Sequence, residues 1–330
     1  MPVAIEIDSL NKVYASRRGE AVSAVNNLTL SIPQGQVFGL LGANGAGKTT
    51  TIKMICGLII PTSGAIRIYG HDIARERRAA VQRMGAVLEG ARNVYWRLSA
   101  WENVLYFGQL KGCGTRMLKT RAEQLLRELD LWERKDQVVR LFSRGMQQKV
   151  AIACALIADP QVILMDEPTL GLDIEAAQTV KAWILKLVKE HGKTIVLTTH
   201  QLDLAQELCD HIAIMRKGSL VTTRPIVELL DVFRQEHYQI KMSGPLEQSE
   251  LAGFDGLQIS QETDGSGWLL SGVIQDQQTL DSLLRKILDL NLSVLSVSRR
   301  EPNLEEVFLY FMRSVGKGET YASNATANRR

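Results

Sequence analysis

Three short stretches of the chain are apolar, or apolar with threonine at the ends: Val37–Leu41, Val162–Met165 and Thr194–Thr198. Runs this short predict strands buried on both faces of a parallel sheet. Helical patterns stand beside them, at Thr49–Leu58 after the first and at the amphipathic Ala176–His191 after the second. Strands alternating with helices predict an α/β fold whose parallel sheet is covered on both faces. Ahead of this core, Ala4–Tyr14 and Ser23–Ile32 alternate apolar and polar residues, which predicts an N-terminal β subdomain. Pro33-Gln-Gly35 reads as a turn, and Pro61-Thr-Ser-Gly64 ends the first helix. From about Val94 to Ile157 the spacing turns helical, with Ala122, Leu125, Leu126 and Leu129 on one face, so an inserted helical subdomain is expected over about 92–157.

The composition shifts after about Arg234. Leu257–Val273 reads as a hairpin around Asp264-Gly-Ser-Gly267. Thr279–Leu290 sets Leu280, Leu283, Leu284, Ile287 and Leu288 on one helix face, with Asn291 placed to end it. Val294–Val297 reads as a strand and Glu305–Arg313 as a closing helix. The expected organisation is a first domain over 1–235, a small α+β domain over 236–315, and a polar, disordered tail over 316–330.

Composition narrows the possibilities. Of the 330 residues, 45% are hydrophobic and 23% charged, values of a globular chain with a real core. A net charge of +3 gives no argument for direct nucleic-acid binding, and none is expected. Arg75-Glu-Arg77-Arg78 reads as a solvated helix face. Cys56, Cys113, Cys154 and Cys209 are far apart without Cys-x-x-Cys spacing, and read as reduced packing residues of a cytosolic protein. The start, Met1-Pro-Val-Ala-Ile-Glu, has no basic region before an apolar run, so no signal peptide is expected. Cys56–Ile60 and Val162–Met165, the longest apolar stretches, are too short to cross a bilayer, so a membrane link would run through a partner. Asn324-Ala-Thr326 matches the glycosylation pattern and is expected to be idle.

The candidate chemistry begins at Gly42-Ala-Asn44-Gly45-Ala46-Gly47-Lys48-Thr49, a complete Gly-x4-Gly-Lys-Thr phosphate loop between a strand and a helix. Glycines let backbone amides converge on phosphates, and the helix start adds partial positive charge. Lys48 would reach the β- and γ-phosphates, and the Thr49 hydroxyl would join a Mg²⁺ shell, with Thr50 continuing the loop. Asp166-Glu167 closes the second apolar strand. A carboxylate there can hold Mg²⁺ while its neighbour orients an attacking water; the same pair reads equally as an acidic helix cap. His200, after the third strand, reads as a γ-phosphate partner or as a structural histidine.

These segments, with Gly171-Leu-Asp173 and Leu141-Phe-Ser-Arg-Gly-Met-Gln-Gln-Lys149, resemble the ATP-binding-cassette (ABC) family over about residues 3–230. The resemblance implies a phosphate-loop NTPase core and two cassettes paired head to tail, each ATP lying between one phosphate loop and the partner's signature segment. It implies that Ser143 and Gly145 start a helix facing the γ-phosphate in trans, that Glu167 is the catalytic base, and that Asp173 lies at the dimer contact. Tyr14 matches the family's adenine-stacking aromatic; read alone it is a strand tyrosine. Arg144 and Met146 depart from the usual Leu-Ser-Gly-Gly-Gln. Glu89 stands where the family's glutamine loop falls, as a Mg²⁺ ligand or a surface acid, and Gln82 lies too early to substitute. The aromatics of Gly90–Asn103 match the face toward a membrane partner, although Trp101 reads as well as helical-subdomain core.

Leu88-Glu-Gly-x-Arg-Asn-x-Tyr-Trp-Arg97, the Phe-Ser-Arg-Gly-Met segment and Glu301-Pro-Asn-Leu-Glu-Glu-Val-Phe-Leu309 are similar to the multidrug and antibiotic exporter branch. That branch implies an ATPase subunit, with ATP and Mg²⁺, on the cytoplasmic face of the membrane. It would act with a separate permease and a second copy of itself. The rivals are a soluble cassette acting on ribosomes or DNA, against which stand a single phosphate loop and no sustained heptads, and an importer ATPase.

Overall fold

The computed structural model describes residues 2–15, 21–90, 93–232, 237–245, 257–261, 267–274, 276–299 and 303–314. The hairpin tip at 262–266, Arg92, Glu301-Pro302, the tail from 316 and the sequon at Asn324 lie outside the described residues. The chain forms two compact units, one built on residues up to Ile226 and from Phe311, the other on Val227–Tyr310. The division falls before the composition shift near Arg234.

In the first unit, β1 (Val3–Tyr14) and β2 (Val22–Pro33) follow their alternating pattern. Ile5, Ile7 and Leu10 of β1 are buried while Glu6 and Asp8 are exposed. β3 (Val37–Leu41) leads through the glycine loop into α1 (Lys48–Ile55), which ends three residues short of the expected Leu58. Gly57, with φ 68°, leaves the right-handed helical region there. β4 (Ser63–Ile68) and β5 (His71–Asp72) join across Tyr69 and Gly70, at φ 49° and 82°. Paired positive φ values match the twist of a tight hairpin. The antiparallel sheet has the order β2-β1-β4-β5.

After α2 (Arg77–Gln82) comes β6 (Met84–Val87). The helical insertion is α3 (Ala100–Leu110), α4 (Thr115–Glu128) and α5 (Arg144–Leu156). It begins later than the expected 92, because Ser99 is the N-cap of α3 and closes a complete capping box with Glu102. The core resumes with β7 (Val162–Asp166), α6 (Ile174–Lys189), β8 (Thr194–Thr199), α7 (Leu202–Leu208), β9 (His211–Arg216) and β10 (Ser219–Pro225).

The larger sheet is six-stranded in the order β10-β9-β3-β8-β7-β6, parallel from β9 to β6. β10 adds an antiparallel edge through the Lys217-Gly218 turn, which the three-strand reading did not anticipate. Every residue of β3, β7 and β8 is buried, as their continuous apolar runs predicted. Each such Leu, Ile, Val or Phe removed from water contributes about 1.5–3 kcal/mol. One core cluster joins Phe38, Leu40, Leu164 and Val196 of this sheet to Ile52 and Ile55 of α1 and to Ile5 and Ile66 of the antiparallel sheet.

The second unit is a four-stranded antiparallel sheet, β12-β13-β11-β14, from β11 (His237–Ser243), β12 (Gln258–Gln261), β13 (Trp268–Val273) and β14 (Ser293–Arg299). α8 (Ile226–Val232) precedes it, and α10 (Leu304–Ser314) follows. The helix α9 (Gln277–Asp289) buries Leu280 and Ile287 with Ile240, Met242 and Leu270 of the sheet. Asp276 caps its start, and Asn291, at φ 56°, lies just past its end.

Candidate functional site

Three neighbouring strands, β3, β8 and β7, deliver the site at their carboxyl ends, where open α/β sheets place their crevices. The loop after β3 turns into α1 at Gly47, the N-cap, with φ 102°. A Cβ on Gly47 would stand 2.5 Å from the Ala24 carbonyl oxygen, so both backbone angle and space call for glycine. The loop is held by the Ala46 amide donating to the Ala43 carbonyl at 3.0 Å, and by the Gly218 amide donating to the Ala46 carbonyl at 3.0 Å. No acidic residue lies in the first turn of α1 itself.

Lys48 folds back over this loop. Its Nζ donates to the carbonyls of Gly42 at 2.7 Å and Ala43 at 3.3 Å, and only 7% of the residue is exposed. Burial holds its pKa below the ordinary lysine value, against the upward pull of Glu167, Asp166 and Glu89.

Asp166 ends β7 almost fully buried. Its Oδ1 accepts from the Thr49 hydroxyl at 3.2 Å and from the Thr198 hydroxyl. Its Oδ2 is buried with no hydrogen-bond partner among the described residues. Leaving such an atom unsatisfied costs about 1–3 kcal/mol or more, and here it supplies a carboxylate oxygen beside a threonine hydroxyl. That all-oxygen donor set fits a hard divalent cation such as Mg²⁺. Among the described residues no group of three or more His, Cys, Asp or Glu forms a cage. Beneath the site burial pushes the Cys56 thiol up to about 12, with Asp166 adding to the shift. Cys56, Cys113, Cys154 and Cys209 are all free thiols.

Glu167 adopts φ 51°, a left-handed conformation rare for a residue with a side chain. Its amide donates to both the carbonyl and the hydroxyl oxygen of Thr198, at 3.1 Å each. Its Oε1 lies 2.9 Å from His200 Nδ1. An ionised carboxylate only accepts, so a hydrogen bond to it takes Nδ1 as the donor. The Glu167 side chain is 10% exposed and that of His200 44%, so the pair lies at a surface and not in a core. No helix starts at Asp166-Glu167; the next one, α6, is capped by Asp173, which accepts from the Ala176 amide at 2.8 Å. The cap reading of the carboxylate pair therefore falls.

Ser143 is the exposed N-cap of α5, its hydroxyl accepting from the Met146 amide at 3.3 Å. Gly145 is buried, and a Cβ on it would come within 2.6 Å of Ala176 Cβ. Among the described residues no hydrogen bond joins Ser143 or Gly145 to the phosphate loop. Glu89 is exposed in a loop pinned by Asn93, which pairs with both backbone groups of Leu88. Tyr14 ends β1 at 38% exposure, with Lys12 Nζ 5.0 Å from its ring centre. Trp101 is half-buried, edge-on to Trp132 at 5.8 Å, while Tyr95 and Trp96 are 50% and 47% exposed.

Sequence reasoning missed Thr198, which holds Asp166 and the Glu167 backbone. The signal was present, because a buried strand that ends in Thr198-Thr199 sets hydroxyls where only apolar groups are expected. It also missed Gln148, whose Nε2 donates to the Pro168 carbonyl at 3.0 Å. No periodicity marks that residue.

Two family profiles match the chain: one described as ABC transporter over residues 25–170, the other a domain of unknown function over residues 237–298. The daunorubicin/doxorubicin resistance ATP-binding protein DrrA of Streptomyces peucetius is 32% identical over 93% of this chain and 91% of its own. The Nod factor export ATP-binding protein I of Sinorhizobium fredii is 35% identical over 93% of this chain and 85% of its own. Among solved structures, a dimeric post-hydrolysis state of the ATP-binding cassette MJ0796 bound to ADP and Pi matches with a TM-score of 0.61 at 26% identity. That match covers 67% of this chain and 98% of the other.

Proposed function

The chain belongs to the ABC transporter family, and we propose that it powers export through a separate permease, paired with a second copy of itself on the cytoplasmic membrane face. It is an ATP-binding and ATP-hydrolysing subunit. One observation carries the catalytic assignment: Lys48, the Thr49–Asp166 pair and the Glu167–His200 pair converge at the ends of adjacent strands. Export is favoured by relatives named for drug resistance and for Nod factor export.

Lys48 exchanges two neutral carbonyl acceptors for anionic β- and γ-phosphate oxygens, which bind an ammonium more strongly. The backbone from Gly42 through Asn44, Gly45, Ala46 and Gly47 to Thr49 and Thr50 wraps the phosphates, and Tyr14 stacks on the adenine. Glu167 orients the attacking water and takes its proton, held in aim by His200 and Thr198. His200 also meets the γ-phosphate. Thr49 and Asp166 would hold a Mg²⁺ ion, which would supply positive charge to offset that of the phosphate oxygens. Ser143 and Gly145 of the second copy close the site through the start of α5, with Asp173 at the contact between copies.

Glu89 is the third candidate for the metal. In the assembled transporter, Glu89→Gln is expected to raise the Mg²⁺ concentration for half-maximal ATPase activity about tenfold. Unchanged Mg²⁺ dependence and turnover would make Glu89 a surface acid. No helix among the described residues is long and apolar enough to cross a membrane. Affinity purification of the full chain from native membranes tests the partner. A stoichiometric polytopic membrane protein, with vesicles that move substrate outward on ATP, is expected. Copurification with ribosomes or DNA in high salt, without a membrane protein, would replace the transporter reading.

A further inference from the structure

The first two turns of α5 are gripped by the segment that follows Glu167. Arg144, the first residue of the helix, lays its guanidinium over Gly171. A methyl group on Gly171 would stand 2.5 Å from Arg144 Nη1 and 3.5 Å from its Cζ. Four residues on, and so on the same helix face, Gln148 Nε2 donates to the Pro168 carbonyl at 3.0 Å. Between them Gly145 sits tight against Ala176 of α6.

The gripped segment is itself stiff. The Leu170 amide donates to the Glu167 carbonyl at 3.1 Å, and the Leu172 amide to the Thr169 carbonyl at 3.2 Å. The Thr169 hydroxyl donates to Gln201 Oε1 at 3.1 Å, next in sequence to His200. A continuous set of contacts thus runs from the start of α5, through Pro168–Gly171, to both members of the Glu167–His200 pair.

We propose that Arg144 is a positioning residue that, with Gln148, clamps the start of α5 to the Glu167 segment, so that the two ATP sites of a pair are coupled. This rests on the head-to-tail reading above, in which α5 meets the partner's ATP while Glu167 serves the chain's own. A glycine at 144 would open one end of the clamp, and Gln148 at the other end does not hold the segment alone. The planar guanidinium occupies the space where a Cβ on Gly171 would stand, a placement that a compact lysine ammonium does not reproduce.

The test uses the full chain assembled with its permease, measuring ATPase rate against ATP concentration for Arg144→Gly, Arg144→Lys, Gln148→Ala and the Arg144→Gly/Gln148→Ala double variant. Arg144→Gly is expected to lower kcat about tenfold, with KM changed by less than about twofold and the Hill coefficient falling toward one. Arg144→Lys recovers only a small part of the rate. The double variant is no slower than the slower single one, since both side chains act on one segment. An unchanged kcat and Hill coefficient, multiplicative losses in the double variant, or full recovery by lysine each overturn the clamp; a rise in KM alone moves Arg144 onto the nucleotide. An inactive wild-type chain would overturn the ATPase reading, whereas an active one indifferent to these variants overturns the clamp alone.

Discussion

Glu167→Gln is expected to lower ATP turnover by about 10²–10⁴-fold while leaving ATP affinity within a few-fold of the parent, because the proposed general base is removed but the phosphate loop is untouched. The backbone argument supports so large an effect. Residue 167 holds φ 51°, a conformation costing roughly 1–3 kcal/mol, and two bonds to Thr198 keep it there. Glutamine fits the same backbone and still accepts from His200 through its carbonyl, so the geometry survives and only the proton acceptor is lost. Single-turnover hydrolysis, with binding of a fluorescent ATP analogue measured alongside, separates the two steps. With two copies paired around ATP as proposed, the variant should also accumulate as an ATP-bound dimer in size-exclusion chromatography. Turnover within tenfold of the parent would remove Glu167 from the catalytic role.

Asp166→Asn separates stability from function. The parent carboxylate is buried with Oδ2 unpartnered, while Oδ1 accepts from Thr49 and Thr198. An asparagine carbonyl in the Oδ1 position keeps both hydroxyl bonds, and the full charge leaves the interior. The nucleotide-free protein is expected to melt no lower than the parent, and up to about 4 °C higher for each kcal/mol of relieved burial. ATPase activity should fall more than about a hundredfold, since the proposed Mg²⁺ donor set loses its charged oxygen. Differential scanning calorimetry without nucleotide, paired with Mg²⁺-dependent hydrolysis, tests both halves. A Tm several degrees below the parent would mean that the carboxylate is a structural group.

The strands that carry the site were legible because burial on both faces leaves them no polar positions. Val37–Leu41, Val162–Met165 and Thr194–Thr198 could be read within a residue, and the phosphate loop followed from its spacing. The hairpins β4–β5 and β9–β10 were not read. Their positive-φ turns, Tyr69-Gly70 and Lys217-Gly218, lack the usual Asn-Gly or Asp-Gly marking. Asp166-Glu167 could not be told from a helix cap in one dimension, because the deciding fact is that α6 starts at Ile174. The grip of Arg144 and Gln148 on Pro168–Gly171 was invisible for a related reason, since it depends on the close approach of α5 and α6 at Gly145 and Ala176.

The strand order has a consequence for biosynthesis. Among the described residues, β3, which leads into the phosphate loop, pairs with β8 and β9 alone, and β8 also lies between β3 and β7. Both partners of β3 are translated long after it. While the ribosome extends the chain through the helical insertion, Val37–Leu41 is an apolar segment with two open edges, the kind that seeks pairing with other chains. Its native neighbours exist only once the polypeptide has passed His211–Arg216. A transcript cut between Thr49 and His211 encodes an intact nucleotide motif on a strand with an unfilled edge, and its product is expected to be a substrate for chaperones and proteases instead of a weakened ATPase.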